Sequence, residues 1–185
     1  MIKQTLSEAG QKMDKAVEVA REDFAAIRTG RAHPSMFAKI TADYYDSPTP
    51  LQQLASFTVP EARVVIIAPY DMGAMTAIEK AIRESDLGVN PANDGKTLRV
   101  VLPELTEERR KEYIKIAKTK AEDGKISIRN IRRSAKQALD KLEKDGEVGK
   151  DDVTGAEKRL DGLTRKHTET VDELLKHKEA ELLAV

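Results

Sequence analysis

No cysteine and no tryptophan occur among the 185 residues of this chain, and aromatic residues make up only 4% of it. The missing cysteine excludes a disulfide framework and every thiolate metal site, and fits a reducing compartment. The shortage of flat side chains counts against a single-strand binder that stacks bases on aromatic platforms. Net charge is absent as well. The 32 Lys and Arg balance 32 Asp and Glu, so no whole-molecule field draws in nucleic acid or membrane, and polyanion affinity must come from local segregation of charge. Charges interrupt the chain too often for a membrane span, and Met1 to Glu8 lack the apolar core of a secretory signal. The expectation is a cytoplasmic protein with no membrane partner. Nor does any nucleophile, base and orienting residue form a recognisable motif. The three histidines, His33, His167 and His177, include no short His-x3-His pair near carboxylates, and the last two are expected as packing residues beside a helix seam. Gly146 to Asp151 fails as a phosphate loop, because only two residues separate its glycines and Asp stands where Ser or Thr is required. No metal, no cofactor and no enzymatic activity are expected.

What is abundant is charge at helical spacing, 35% of the residues. Ile2, Leu6, Ala9, Met13, Ala16, Ala20, Phe24 and Ile27 recur at steps of three and four and predict a first amphipathic helix. From Thr106 to about Lys144 a second helix carries two stripes. One is a small, apolar seam of Ala117, Ala121, Gly124, Ile128, Ile131, Ala135, Ala138 and Leu142. The other, about a third of a turn away at 100° per residue, collects Lys111, Lys115, Lys118, Lys125, Arg129, Arg132, Arg133 and Lys136, with Glu122 as its acidic interruption. Gly124 is read either as tolerated helix weakness or as a point of close backbone packing. A third helix follows Asp151 and Asp152, with Val153, Ala156, Leu160, Leu163, His167, Thr170, Leu174 and His177 in its stripe. The glycines of Asp145 to Lys150 predict a tight, antiparallel connection between the last two helices.

Between the first two helices the period changes from 3.6 to 2. Ile40, Ala42 and Tyr44 alternate with polar residues, and Phe57 to Val59, Val64 to Ile67 and Leu98 to Leu102 are β-branched or aromatic runs. Asp71 can cap a short helix through Met75, Ile78 and Ile82, which Gly88 would stop, and Asn93-Asp94-Gly95 is a hairpin-type turn. The predicted fold class is α+β: a long three-helix bundle from residues 1–30 and 105–185, with a small β/α/β lobe, residues 31–104, inserted in it. The chain crosses between them at Thr29-Gly30-Arg31 and at Leu102-Pro103-Glu104-Leu105, and two crossings at one place predict a double-stranded hinge.

Six blocks carry a resemblance that runs from end to end. They are Ile27-Arg28-Thr29-Gly30-Arg31-Ala32, Tyr44-Tyr45 with Thr49-Pro50-Leu51, Ser85 to Pro91, Leu105 to Arg110, Arg129-Asn130-Ile131-Arg132-Arg133, and Lys178 to Leu182. In order and spacing the sequence resembles the bacterial ribosome recycling factor family. The resemblance implies an L-shaped molecule of tRNA-like outline that enters the ribosome after termination. With elongation factor G and GTP it separates the subunits, so that mRNA and tRNA are released; the GTP is used by the partner. It also implies that the bundle lies on large-subunit ribosomal RNA, with Arg129 and Arg132 the leading contacts, and that the lobe meets the elongation factor. Together with the basic stripe this nominates Lys118, Lys125, Arg129, Arg132, Arg133 and Lys136 as the RNA-binding set of a protein expected to act as a monomer. If about four phosphates are neutralised, affinity should fall with salt at a log-log slope of roughly −3 to −4. A coiled-coil scaffold would not require the inserted lobe. A shape-reading binder of duplex RNA should take free duplexes nearly as well as ribosomes.

Overall fold

The computed structural model describes residues 1–184. Among them the chain forms five α-helices and six strands: α1 (Ile2–Ala25), β1 (Thr41–Tyr44), β2 (Ser47–Pro50), the single turn α2 (Leu51–Leu54), β3 (Ala55–Glu61), β4 (Val64–Pro69), α3 (Met75–Arg83), β5 (Ala92–Asn93), β6 (Leu98–Val101), α4 (Glu107–Lys144) and α5 (Lys150–Leu183). Contacts divide the chain into two compact units, one of Met1–Phe24 and Ile114–Ala180, the other of Ala25–Tyr113 and the residues after Ala180. Their borders fall several residues outside the 30/31 and 104/105 limits drawn from the sequence.

In the first unit three long helices bury one stripe each. From α1 it is Leu6, Ala9, Met13, Val17, Ala20 and Phe24, and from α4 it is Ala117, Ala121, Ile128, Ala135 and Leu139. From α5, Val153, Ala156, Leu160, His167 and Val171 are buried. Two seam positions read from the sequence move. Val17 is buried while Ala16 is only half-buried, and Leu139 is buried while Ala138 is exposed. In both cases the larger neighbour takes the interior, because about 25 cal/mol per Å² of apolar burial favours it. His177, expected beside the seam, is exposed, and its neighbour Lys178 is buried instead.

Helix α4 is joined to α5 by a glycine stop. Gly146 takes φ +74°, its N–H donates to the Glu143 carbonyl at 3.0 Å, and the Glu147 N–H donates to the Leu142 carbonyl at 3.0 Å. This paired capping satisfies carbonyls that the helix end would leave bare, in a backbone conformation that glycine adopts without a Cβ penalty. Helix α5 then begins with Asp151 and Asp152 in its first turn, where carboxylates meet the positive end of the helix dipole.

The second unit holds an antiparallel sheet in the order β3-β4-β6-β5, with a separate hairpin β1-β2. Its core gathers Phe37, Leu51, Val65, Ile67, Ile78, Ile82, Leu98, Val100 and Leu102. Strand alternation explains the sheet: Leu98 and Val100 of β6 are buried while Arg99 and Val101 are exposed. Asp71 caps a 3-10 turn, Met72–Ala74, that runs into α3, accepting from the Gly73 N–H at 2.8 Å. Gly88 is left-handed at φ +65°, but it lies five residues beyond the end of α3 at Arg83. The turn before β6 is built by Asp94, which accepts from the backbone N–H of Thr97 at 2.6 Å and of Lys96 at 2.9 Å. These donors, Thr97 first, hold its carboxyl below the usual carboxylate range. Strand β2 was not legible in the sequence, since Ser47-Pro48-Thr49-Pro50 has no strand signature. Proline is tolerated there because the strand pairs on one side only, with β1.

Candidate functional site

Helix α4 is stiff because its ends and its middle are all specified. Thr106 caps it, accepting from the Arg109 N–H at 3.1 Å, and Glu107 and Glu108 occupy the first turn. Its 38 residues span roughly 57 Å at 1.5 Å per residue. In the middle, a Cβ on Gly124 would lie 3.4 Å from the Ala20 Cβ of α1 and 3.8 Å from Val171 Cγ1 of α5. The helices therefore approach closely at Gly124, where an added Cβ would just reach van der Waals contact.

Of the six nominated cations of α4, Lys125 and Arg132 meet α5 and the other four lie within about a quarter turn of them at 100° per residue, and the six divide into two groups. Lys125 Nζ lies 3.0 Å from Asp172 Oδ1 and 3.7 Å from Glu122 Oε2, and its side chain is largely covered. Arg132 Nε donates to Asp161 Oδ1 at 2.7 Å, and Arg129 Nη1 to Glu122 Oε1 at 3.1 Å. Lys118, Arg133 and Lys136 are exposed, and no ion pair to them occurs among the described residues. Glu122, read from the sequence as an interruption of the stripe, is a shared partner of Lys125 and Arg129. Asp161 and Asp172 escaped sequence reasoning altogether, because they become neighbours of α4 only once α5 folds back on it. Such half-exposed pairs contribute little stability, typically 0–1 kcal/mol. Their effect is geometric: Asp161 holds Arg132 by Nε, so the two terminal amino groups of the guanidinium point elsewhere and can meet a second anion. The flank is therefore a row of cations with three bare members and three that are held in place by carboxylates.

The six nominated cations lie on this one flank, and the seven nominated hinge residues lie within the second unit. In the first nominated hinge segment Thr29 Oγ1 donates to the Arg31 carbonyl at 3.1 Å and accepts from the Arg31 N–H at 3.3 Å. At the second, Leu102 is fully buried and donates its N–H to the Arg63 carbonyl at 2.7 Å, and Leu105 is buried as well. Glu104 lies 3.7 Å from Arg63. A residue outside the nominated set ties these two segments together. Arg28, 6% exposed, donates Nη2 to the Pro103 carbonyl, while its Nε has no partner. Burial lowers its pKa, against the opposing effect of Tyr113 beside it. Nothing in the periodicity of Ile27-Arg28-Thr29 announces this brace.

With this geometry in hand, the family model described as ribosome recycling factor matches residues 20–183, which takes in the C-terminal end of α1, the whole lobe, α4 and α5. The chain belongs to the ribosome recycling factor family. A ribosome-recycling factor of Nocardioides sp. is 72% identical over 185 residues, with both chains covered completely. That of Streptomyces avermitilis is 67% identical over the same span. Among solved structures, a ribosome recycling factor determined in solution superposes with a TM-score of 0.77 at 38% identity, covering 100% of this chain and 98% of the other. A Thermus thermophilus factor, in a set of models with the E. coli elongation factor G bound to the E. coli post-termination complex, gives a TM-score of 0.69 at 39% identity with both chains fully covered. Like these relatives, the chain is a mixed α and β protein, with long helices that pack together and with small sheets. No helix among its described residues is long and apolar enough to cross a membrane, and no group of metal-binding side chains forms there.

Proposed function

We propose that this recycling factor acts with elongation factor G and GTP to split post-termination ribosomes into subunits, which frees mRNA and tRNA for a new round of translation. Full-length identity of 72% to a ribosome-recycling factor carries the recycling role. That a relative is described together with elongation factor G bound to a post-termination complex supports the partnership. The protein works in the cytoplasm as a monomer, hydrolyses nothing itself, holds no cofactor, and leaves GTP to its partner.

In this mechanism the flank of α4 binds large-subunit ribosomal RNA. Lys118, Arg133 and Lys136 offer uncommitted charge to phosphates, while Lys125, Arg129 and Arg132 are held extended by Glu122, Asp161 and Asp172. Arginine suits such contacts because its planar fork can take a phosphate through two N–H groups at once. Residues 1–30 and 105–185 behave as the anchored body and residues 31–104 as the moving lobe. The lobe flexes at Thr29 to Arg31 and Leu102 to Leu105, and force from the elongation factor passes through those crossings to the intersubunit contacts.

The reaction can be followed by light scattering from post-termination ribosomes given this protein, elongation factor G and GTP, each omitted in turn. Splitting that needs all three is the expected result. Splitting without the elongation factor, or none with a matched partner, would overturn the mechanism.

A further inference from the structure

The carboxylates on the basic flank of α4 sit where their ion pairs add little to stability. Glu122, Asp161 and Asp172 are each about half exposed, and pairs in that setting are weak. They are nevertheless not scattered along the row of cations. Among the described residues Lys118 stands bare at one end and Arg133 and Lys136 at the other, while the carboxylates fall between, against Lys125, Arg129 and Arg132. Three cations facing three carboxylates leave the middle of the stripe electrically neutral. The bare ends, Lys118 and Arg133, are roughly 22 Å apart along the helix at about 1.5 Å per residue.

This distribution bears on which RNA the flank can hold. Free cations that neutralise phosphates release the counterions condensed on a polyanion, and that release drives binding regardless of sequence. A cation already matched by a fixed carboxylate releases few, and the carboxylate repels a phosphate that arrives from a poor direction. Nor does the rest of the chain supply a compensating field, since its 32 basic and 32 acidic residues cancel. An RNA of arbitrary shape laid on α4 thus meets two short positive ends and a neutral centre. The pairs still leave an opening. Asp161 takes the Nε side of Arg132 at 2.7 Å, and Glu122 meets Arg129 through Nη1 at 3.1 Å. Each guanidinium keeps further N–H groups for a phosphate that comes in at the right place.

We infer that Glu122, Asp161 and Asp172 determine the specificity of the flank. They penalise RNA in general and reserve the flank for a ribosomal surface whose phosphates match its two ends and its guanidinium edges. Discrimination is a difference between two affinities, and a repulsive group enlarges it as well as an attractive one does. The inference rests on the proposed function and adds to it the residues that turn the wrong RNA away.

The test compares Asp161→Asn, Asp172→Asn and the double variant with the unaltered protein. Asparagine keeps an oxygen that can accept from Arg132 or Lys125, so the cations stay in place while the charge goes. Glu122→Gln removes a charge within α4 alone, and serves as the variant independent of the contact between α4 and α5. Binding to a labelled RNA duplex of arbitrary sequence is read by fluorescence anisotropy across salt, and binding to ribosomes by sedimentation. The duplex should bind the double variant about tenfold more tightly, with a log-log salt slope steeper by about 0.7–0.9 for each carboxylate removed, while ribosome affinity changes less. Splitting by the double variant should also be inhibited at duplex concentrations that leave the unaltered protein working. Unchanged duplex affinity and slope in all the variants would overturn the inference. So would equal gains or losses for duplex and ribosome, which a purely structural role would give. Ribosome binding by the unaltered protein that ignores salt is a failure of the proposed RNA contact instead.

Discussion

Single hydrogen bonds in this molecule do unequal work, and the Tyr44–Asp71 pair has the clearest signature. The phenol donates to the carboxylate at 2.6 Å, which pushes Tyr44 up to about 12 and, with the Gly73 N–H, holds Asp71 below its ordinary value. The Asp71 shift contributes stability above its unfolded value of about 4 and is lost as pH falls through the lowered folded value. The Tyr44 shift contributes below about 10 and is lost as pH climbs through the raised one. The bond should thus support the lobe evenly from about pH 4 to 10 and fade on both sides. Tyr44→Phe is expected to flatten both edges, as read from urea midpoints across pH; unchanged edges would show that other groups set them. His167 is bound as firmly, with Nδ1 2.6 Å from the Leu163 carbonyl of its own helix and Nε2 2.7 Å from Asp14 of α1. This explains a buried polar residue on the α5 seam.

Among the elements, α4 was the most legible and also the most instructive where its reading fell short. Its extent, its seam and its basic stripe all follow from a 3.6-residue period, which one sequence displays without help. The carboxylates facing that stripe did not, because Asp161 and Asp172 lie on a different helix and no local pattern marks a residue for an ion pair at that range. The same limit hid β2, whose prolines and hydroxyls suit a turn until pairing with β1 is known. Two expectations follow for α4. Gly124→Leu should destabilise the bundle by about 1–3 kcal/mol through overpacking against Ala20 and Val171, while Gly124→Ala should fall near neutral, because about 1 kcal/mol of helix propensity offsets a tight contact. Equal urea midpoints for Leu and Ala would mean that the helices stand further apart. Ribosome binding should show a salt slope of roughly −2 to −3, shallower than four free contacts would give, because three of the six nominated cations, Lys118, Arg133 and Lys136, begin unpaired among the described residues. Arg132→Glu, which also meets Asp161 with a like charge, should weaken binding with helicity intact by circular dichroism. Binding that survives this change would remove Arg132 from the interface.

At the level of the whole molecule, a lobe is inserted into a bundle, and within one compact unit Arg28 ties together the two segments nominated as hinges, Thr29 to Arg31 and Leu102 to Leu105, through the Pro103 carbonyl. Arg28→Met would lose that bond but also release a buried cation with an unpartnered Nε, so stability should change by less than about 2 kcal/mol. Splitting should nevertheless slow, with ribosome binding preserved, because the two segments no longer move as one. A variant that splits ribosomes at the normal rate would show the brace to be dispensable. The same insertion has a consequence for the birth of the molecule. The lobe's core lies between Ala32 and Leu102, so it can close while the ribosome is still making α4. Helix α1 has no such luck: Asp14 waits for His167, 153 residues later in the chain. At about 5–20 residues per second, the first helix made spends on the order of ten seconds or more with its apolar stripe bare. A protein whose family clears ribosomes thus leaves its own ribosome unfinished at one end, and its nascent α1 is the segment that a chaperone should be found holding.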